Sequence, residues 1–286
     1  MKKKYLVIAA FLFPAMSLLL VFKIYPILQG IYNSLFTYSF VNKETVFAGF
    51  SNYSEVLQDK SFLNSLLVTV KFNLIVNPFQ IVLSFCLSLL LMVNLRGRRI
   101  FRTIHLIPIT VSFTIACTLW GVFLNSEQGL MNSILNLFGI PNQPFLNSSR
   151  QALPWIMIIA SWKGLGYWAL FFITGLEEIP DQLYEAAAID GAGYWNKLIY
   201  ITLPQMKRTF KFVVVSDTIS NFILFVPAYV LTGGGPEGTT DFLMYRIYRM
   251  AYKYSDVNQA SAMIVLLLLL LMFAVGLESY LLRDKE

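Results

Sequence analysis

The chain has 286 residues, of which 57% are hydrophobic and only 13% charged, and its mean hydropathy is +0.62. So few charges cannot keep a soluble surface wet and free of large apolar patches, which excludes a disordered chain, a coiled coil, a disulfide scaffold and an ordinary cytosolic enzyme. The net charge of +6 is spread as short basic stretches between apolar runs, the loop bias of an integral membrane protein rather than a nucleic-acid surface.

A bilayer-spanning helix needs about 20 mostly apolar residues, and six segments qualify. In chain order they are 5–22, which contains Pro14; 72–95; 103–124; 154–176, interrupted by Lys163; 212–231, interrupted by Asp217; and 257–277, with the leucine run Leu266 to Leu271. The predicted fold class is therefore an all-α integral membrane protein, a single transmembrane domain over 1–286. Lys2, Lys3 and Lys4 would suit a signal peptide. The apolar stretch is too long for one and no A-x-A-like site follows, so an uncleaved span is expected.

Basic residues orient the loops. Arg96, Arg98, Arg99 and Arg102, with no acid among them, place the second connection inside. Arg150 alone leaves the third outside, and Lys197, Lys207, Arg208 and Lys211 place the fourth inside. Both termini are then cytoplasmic, with Arg283 to Glu286 inside. Arg246, Arg249 and Lys253 run against the rule, in a segment that alternation places outside. Cys86 and Cys117 lie within apolar runs and read as small core hydrophobes. No CxxC or Cys/His cluster supports metal or redox chemistry.

The inner segment 177–211 carries the most information. Asp181 follows Pro180 and precedes strong helix formers, the position of an N-cap. A helix is expected to about Ile189, a turn at Gly191, and a second helix over 192–203 that Pro204 stops. This helix–turn–helix shows small residues and a single carboxylate, Glu185, on its alanine-rich face. It is either an interfacial pair lying on the bilayer or a knob for a partner protein.

The residues Glu185-Ala186-Ala187, Asp190-Gly191-Ala192 and Ile201-Thr202-Leu203-Pro204 resemble the EAA loop of binding-protein-dependent ABC permeases. The segment 47–53, Phe101-Arg102-Thr103 with Pro108, Trp120 with Gly129 to Asn132, and Leu231 to Pro236 with Thr239 or Thr240, Tyr245 and Tyr248 resemble the carbohydrate-uptake branch, the maltose-permease type. The resemblance covers nearly the whole chain and implies a type I ABC importer permease. It would be half of a heterodimer with a second homologous permease in a bacterial cell membrane. Two ATPase subunits would dock on the cytoplasmic coupling loop through Glu185, Ala186, Ala187, Asp190, Gly191, Ala192 and Pro204, and an extracellular binding protein would deliver substrate. The chain has no G-x-x-x-x-G-K-[ST], so ATP and Mg belong to the partner and this subunit is neither an enzyme nor a cofactor carrier.

The family's sugar contacts, counted from Glu185, fall on Ala160, Gly164 and Tyr167 and on Asp217, Asn221 and Leu224. Helical spacing puts Lys163 on the first of these faces and Ser220 on the second. On this reading Gly164 leaves room for a sugar ring and Tyr167 stacks on it. The alternative is that Lys163 and Asp217 pair with each other, or with the sister subunit, and hold helices together. The resemblance implies a sugar or oligosaccharide, with a polyol or glycerol-phosphate-type solute as the alternative. An ion-coupled secondary transporter is the remote rival, resting on the same two ionisable groups. A membrane enzyme is poorly supported: Asp181, Glu185 and Asp190 form no metal constellation, and Gly193-Tyr194 breaks the DG-x-x-A-R pattern of lipid-headgroup transferases. His105 at the inner end of the third span reads as a headgroup-level or packing residue rather than a proton relay, and Asn64, Asn73 and Asn77 read as interhelical glue rather than ligands.

Overall fold

A computed structural model describes residues 2–39, 44–92 and 98–283. Arg96 and the terminal residues 284–286, used above for orientation, lie outside them, as do positions 93–95 of the second expected span. The described chain is mostly helical and divides into two compact units: residues 1–63 with 246–270, and residues 64–245 with 271–286.

In the first unit, α1 (Lys2–Leu19) passes through a π turn (Leu20–Ile24) into α2 (Tyr25–Asn33). The helix thus continues well past Phe22, and its apolar stretch runs from Phe11 to Asn33. Pro14 is accommodated without a break, as is usual where a span's freed backbone groups find other partners. Phe11, Phe13 and Phe22 are exposed along it, a surface that suits hydrocarbon rather than water. A two-stranded antiparallel hairpin follows, β1 (Phe36–Ser39) and β2 (Glu44–Phe47), in the register Phe36 opposite Phe47.

Side chains of α3 (Ser51–Gln58) then staple the hairpin to the helix end. The Asn52 amide donates to the carbonyls of Ser34 at 2.8 Å and Phe36 at 2.7 Å, and Tyr53 and Ser34 share a hydroxyl bond of 2.6 Å. Asp59 caps the next helix through the Ser61 backbone N–H at 2.9 Å and pairs with Arg246 at 2.5 Å. Burial alone would raise the Asp59 carboxyl, but the Ser61 N–H and the Arg246 guanidinium outweigh it and hold it below the usual carboxylate value. The contact therefore persists through neutral pH and is lost only as pH falls through that depressed value.

The second unit is built on α4 (Lys60–Met92) from Asn64 onward, and the helix runs through Pro78 unbroken. Its side chains dock the glycine-rich segment after Leu231. Asn64 donates to Gly238 O at 2.8 Å, Ser65 to Asp241 Oδ2 at 2.9 Å, and Thr69 accepts from the Leu243 N–H at 2.9 Å at the start of α13 (Leu243–Tyr248). Gly233, Gly234 and Gly238 all take positive φ in this segment, conformations that L side chains resist.

The third expected span is not one straight helix. It is α5 (Arg98–Thr110) and α6 (Phe113–Phe123), bent by 107° at residues 111–112. Pro108 weakens the ladder there, and Ser112 takes an extended ψ of 141°. A short α7 (Leu130–Leu137) leads to α8 (Ala152–Glu177).

The fifth expected span is also interrupted: α12 (Lys207–Phe222) ends and a π turn resumes at Ala228–Thr232 after Pro227. The last helix is α14 (Val257–Leu281). Among the described residues, four helices are long and apolar enough to cross a membrane, or five with the bent pair taken as one. Cys117 is buried as expected, whereas Cys86 lies on an exposed face of α4, where Phe85, Ser84 and Ser88 take the buried positions.

Candidate functional site

Two features of the second unit carry chemistry. The first is a cavity of about 440 Å³ lined by α4, α5, α6, α8, α12 and the break after α12. Ala160, Lys163, Gly164 and Tyr167 reach it from α8, and Asp217, Asn221 and Leu224 from α12 and its end. The structure thus brings all seven sequence-selected residues around one space. Ser220 lines it too, together with Gln80, Ile109, Phe113, Trp168 and Phe225, which the sequence did not single out.

The space above Gly164 is not open. A Cβ at Gly164 would sit 1.4 Å from Gln80 Nε2, so the glycine admits the Gln80 amide rather than free volume for a ring. Gln80 lies one helical turn beyond Asn77, and that spacing of amides on an apolar helix was the available signal. Gly166, next to Tyr167 on α8, lets the backbone of α5 approach: a Cβ there would meet His105 O at 2.3 Å. The backbone of His105 thus lies at the contact between α5 and α8.

Lys163 and Asp217 do not pair with each other. The Lys163 ammonium donates to the carbonyls of Pro108 at 2.6 Å, Ile109 at 3.5 Å and Val111 at 2.5 Å. Asp217 accepts from the Asn221 amide at 3.1 Å, and the Trp168 indole is near the same carboxylate. Asn221 also donates to Asn77 Oδ1 at 2.7 Å, Asn77 to Thr218 Oγ1 at 2.9 Å, and Thr218 to Glu278 Oε1 at 2.7 Å. This buried chain ties α4, α12 and the end of α14 together. In apolar surroundings such a network is costly unless nearly every member is satisfied. Asn77 thus acts as interhelical glue, whereas Asn73 bonds its own helix at Thr69 O. Glu278 was missed because the charged C-terminal end of the last apolar run reads from sequence as an interfacial residue.

The second feature is the segment between α8 and α12. Helix α9 (Asp181–Ile189) begins with Pro180, not Asp181, at the N-cap position, and no side chain caps it. Asp181 is the first helical residue, where its charge still favours the positive end of the helix dipole. The helix ends in a Schellman motif: Gly191 N–H bonds Ala188 O at 3.1 Å, Ala192 N–H bonds Ala187 O at 2.8 Å, and Gly191 has a φ of +75°.

The chain continues as α10 (Tyr194–Lys197), a π turn (Leu198–Thr202) and α11 (Leu203–Gln205). Pro204 does not stop it, because it falls at the start of α11 after the π turn and the break comes at Met206. Tyr184 anchors the segment by a 2.9 Å bond to Thr202 and by packing on the cluster of Phe85, Trp168, Phe172, Met206 and Val213. Glu185, Ala186, Asp190, Gly191 and Pro204 remain exposed, with Ala187 and Ala192 partly so. Ile189 is 87% exposed and Trp195 70%. A second cavity of about 580 Å³ lies at the base of this segment, lined by Leu89, Tyr184, Lys197 and Thr202 among others.

Residues 79–284 match the family described as the binding-protein-dependent transport system inner membrane component. The chain belongs to that permease family. The permease is 32% identical to the probable ABC transporter permease protein YurN of Bacillus subtilis, over 91% of this chain and 90% of that protein. It is 32% identical to the sn-glycerol-3-phosphate transport system permease protein UgpA of Agrobacterium fabrum, over 90% and 88%. It is 33% identical to the trehalose/maltose transport system permease protein MalF of Thermococcus litoralis, over 91% and 88%. Its fold matches a chain in the crystal structure of a bacterial ABC transporter involved in the import of the acidic polysaccharide alginate. The TM-score is 0.83 at 22% identity, covering 98% of the permease and 96% of that chain. A second structure of a bacterial alginate transporter, in complex with an alginate pentasaccharide-bound periplasmic protein, matches at 0.84 and 22% identity. The fold is that of a type I ABC importer permease.

Proposed function

We propose that this permease forms half of the transmembrane path of an ATP-driven importer for a sugar or oligosaccharide. The observation that carries this reading is the cavity in which α8 and α12 converge polar and aromatic side chains within a fold of importer type. A carbohydrate needs polar partners and an aromatic plate, and Ser220, Gln80 and Tyr167 line the cavity to supply them, while Asn221 presents its amide to Asn77 and Asp217.

Its wall suits an uncharged polyhydroxyl solute better than a phosphate ester. Among the described residues Lys163 is its lining cation, held by backbone carbonyls, while Asp217 adds a carboxylate. The alternative, a glycerol-phosphate-type solute, is supported by several relatives named as sn-glycerol-3-phosphate transport system permease protein UgpA.

The partners in this proposal are a second homologous permease, two ATPase subunits that bring ATP and Mg, and an extracellular binding protein. The 177–211 segment is the ATPase-coupling loop, where Glu185 to Ala192 would be gripped. Its exposed Ile189 and Trp195 favour a covered surface over a solvated one. Uptake of labelled sugars in cells expressing all subunits tests the function. Uptake should stop when the ATPase is inactivated and persist when ion gradients are collapsed. The reverse pattern would make the protein an ion-coupled transporter.

Six spans with both termini in the cytoplasm complete the proposal, the broken fifth segment being read as a span despite its interruption. Cysteines engineered near Arg98 and at Gly191 should be shielded from an impermeant thiol reagent in intact cells, and one at Pro141 should react. Labelling of Gly191→Cys from outside would overturn this orientation.

A further inference from the structure

The structure assigns Lys163 to the bent helix pair α5/α6 as its positioning residue, rather than to the transported solute as a ligand. Deepening the importer reading, it fixes which cavity residues are free to meet substrate. The 107° bend takes the last carbonyls of α5 out of the helical ladder, and a helix end in an apolar setting must find other partners for them. Pro108 contributes no N–H of its own. Lys163, arriving from α8, presents three ammonium hydrogens, and three carbonyls receive them: Pro108, Ile109 and Val111. A cation at this end also opposes the negative pole of the α5 dipole. The two short bonds, to Pro108 and Val111, commit the ammonium to the bend, with the Ile109 carbonyl beside them at 3.5 Å.

Removing the ammonium would leave these carbonyls two ways to be satisfied: water, or a straightened helix that restores backbone bonds across residues 111–112. Straightening would move Ile109 and Phe113, which line the cavity on either side of the bend. Lys163 thus fixes the shape of the cavity wall by holding the bend, and acts on transport through those two residues.

The test uses the full transporter with its partner subunits. Spin labels are placed by Ile104→Cys and Leu119→Cys, both exposed positions on the two arms of the bend, after Cys86 and Cys117 are replaced by alanine. In Lys163→Met the distance distribution between the labels should shift or broaden, and Lys163→Arg should keep it. A Lys163→Met distribution that superimposes on the wild type would overturn the assignment.

Uptake kinetics of Lys163→Arg form a second arm, which stands even if Lys163→Met does not assemble. A KM for sugar within about twofold of wild type, whatever the maximum rate, supports a positioning role. A KM raised on the order of tenfold at unchanged maximum rate marks Lys163 as a ligand and overturns it. The kinetic arm rests on the import reading and the distance arm does not. A shifted distance in a protein that transports no sugar would therefore count against import alone.

Discussion

Glu185→Ala and Gly191→Val are expected to leave the permease in the membrane while ATP-driven uptake collapses. The two act differently. Glu185 is the exposed carboxylate in the alanine-rich stretch of α9. Truncating one member of a charge-assisted contact at an interface costs about 2–5 kcal/mol, and each 1.4 kcal/mol or so is tenfold in association. Copurification of the ATPase should therefore fall on the order of 30-fold or more.

Gly191 has open space around it, with no atom within 4 Å of a built Cβ. Steric crowding by neighbours is thus not the cause of any effect there. The cause is its φ of +75° in the Schellman turn, where a residue with a Cβ loses about 1–2 kcal/mol and a β-branched one more. Valine should unwind the turn and misdirect α10. Gly191→Asn, which tolerates the left-handed region, should retain most activity. Membrane level, ATPase copurification and uptake are the measurements. Normal copurification and uptake in both Glu185→Ala and Gly191→Val would remove the docking role from this segment.

Much of this loop was legible because its signals are local. A short helical run, a glycine after it and a proline beyond are properties of neighbours in sequence, and the end of α9 at Ile189 and the positive φ at Gly191 lie where those signals put them. Pro204 misled because proline is a helix breaker only where an N–H is required, and the π turn before it removes that requirement. The bend at residues 111–112 was hidden for a different reason. Hydropathy is continuous across 103–124, and the interaction that stabilises the break comes from Lys163, far along the chain. The same holds for Gln80 over Gly164 and for Glu278 on Thr218: helical periodicity assigns faces, but it cannot say which distant side chain fills the gap between them. Lys163 shows the limit most plainly. Its isolation in an apolar run marks it as functional or paired, but the sequence suggested an acid or a solute as its partner, and the structure supplies backbone.

Tyr167→Ala and Asn221→Ala separate substrate contact from structural support within the cavity. Tyr167 is 44% exposed, and its ring packs edge-on against Trp168 and Phe171 at centroid distances of 4.8 and 5.2 Å. Among the described residues its hydroxyl has no hydrogen bond, so it is a polar tip free for a ligand. Its removal leaves the helix contacts of α8 largely intact and takes away a stacking plate and a donor. The combined loss is about 1–3 kcal/mol. Sugar flux should fall on the order of tenfold or more, with assembly and binding-protein-stimulated ATPase activity preserved.

Asn221 differs because it is buried and already engaged by Asn77 and Asp217. Alanine there leaves two buried acceptors without their donor, at about 1–3 kcal/mol each. That variant should lose thermal stability as well as flux. Purified transporter, its melting temperature, its stimulated ATPase rate and its sugar uptake distinguish the cases. A Tyr167→Ala permease that carries sugar at the wild-type rate would take the α8 face out of the substrate path. Loss of assembly in Asn221→Ala beside such a result would reduce the network on α12 to a structural brace, leaving the family membership of the chain untouched.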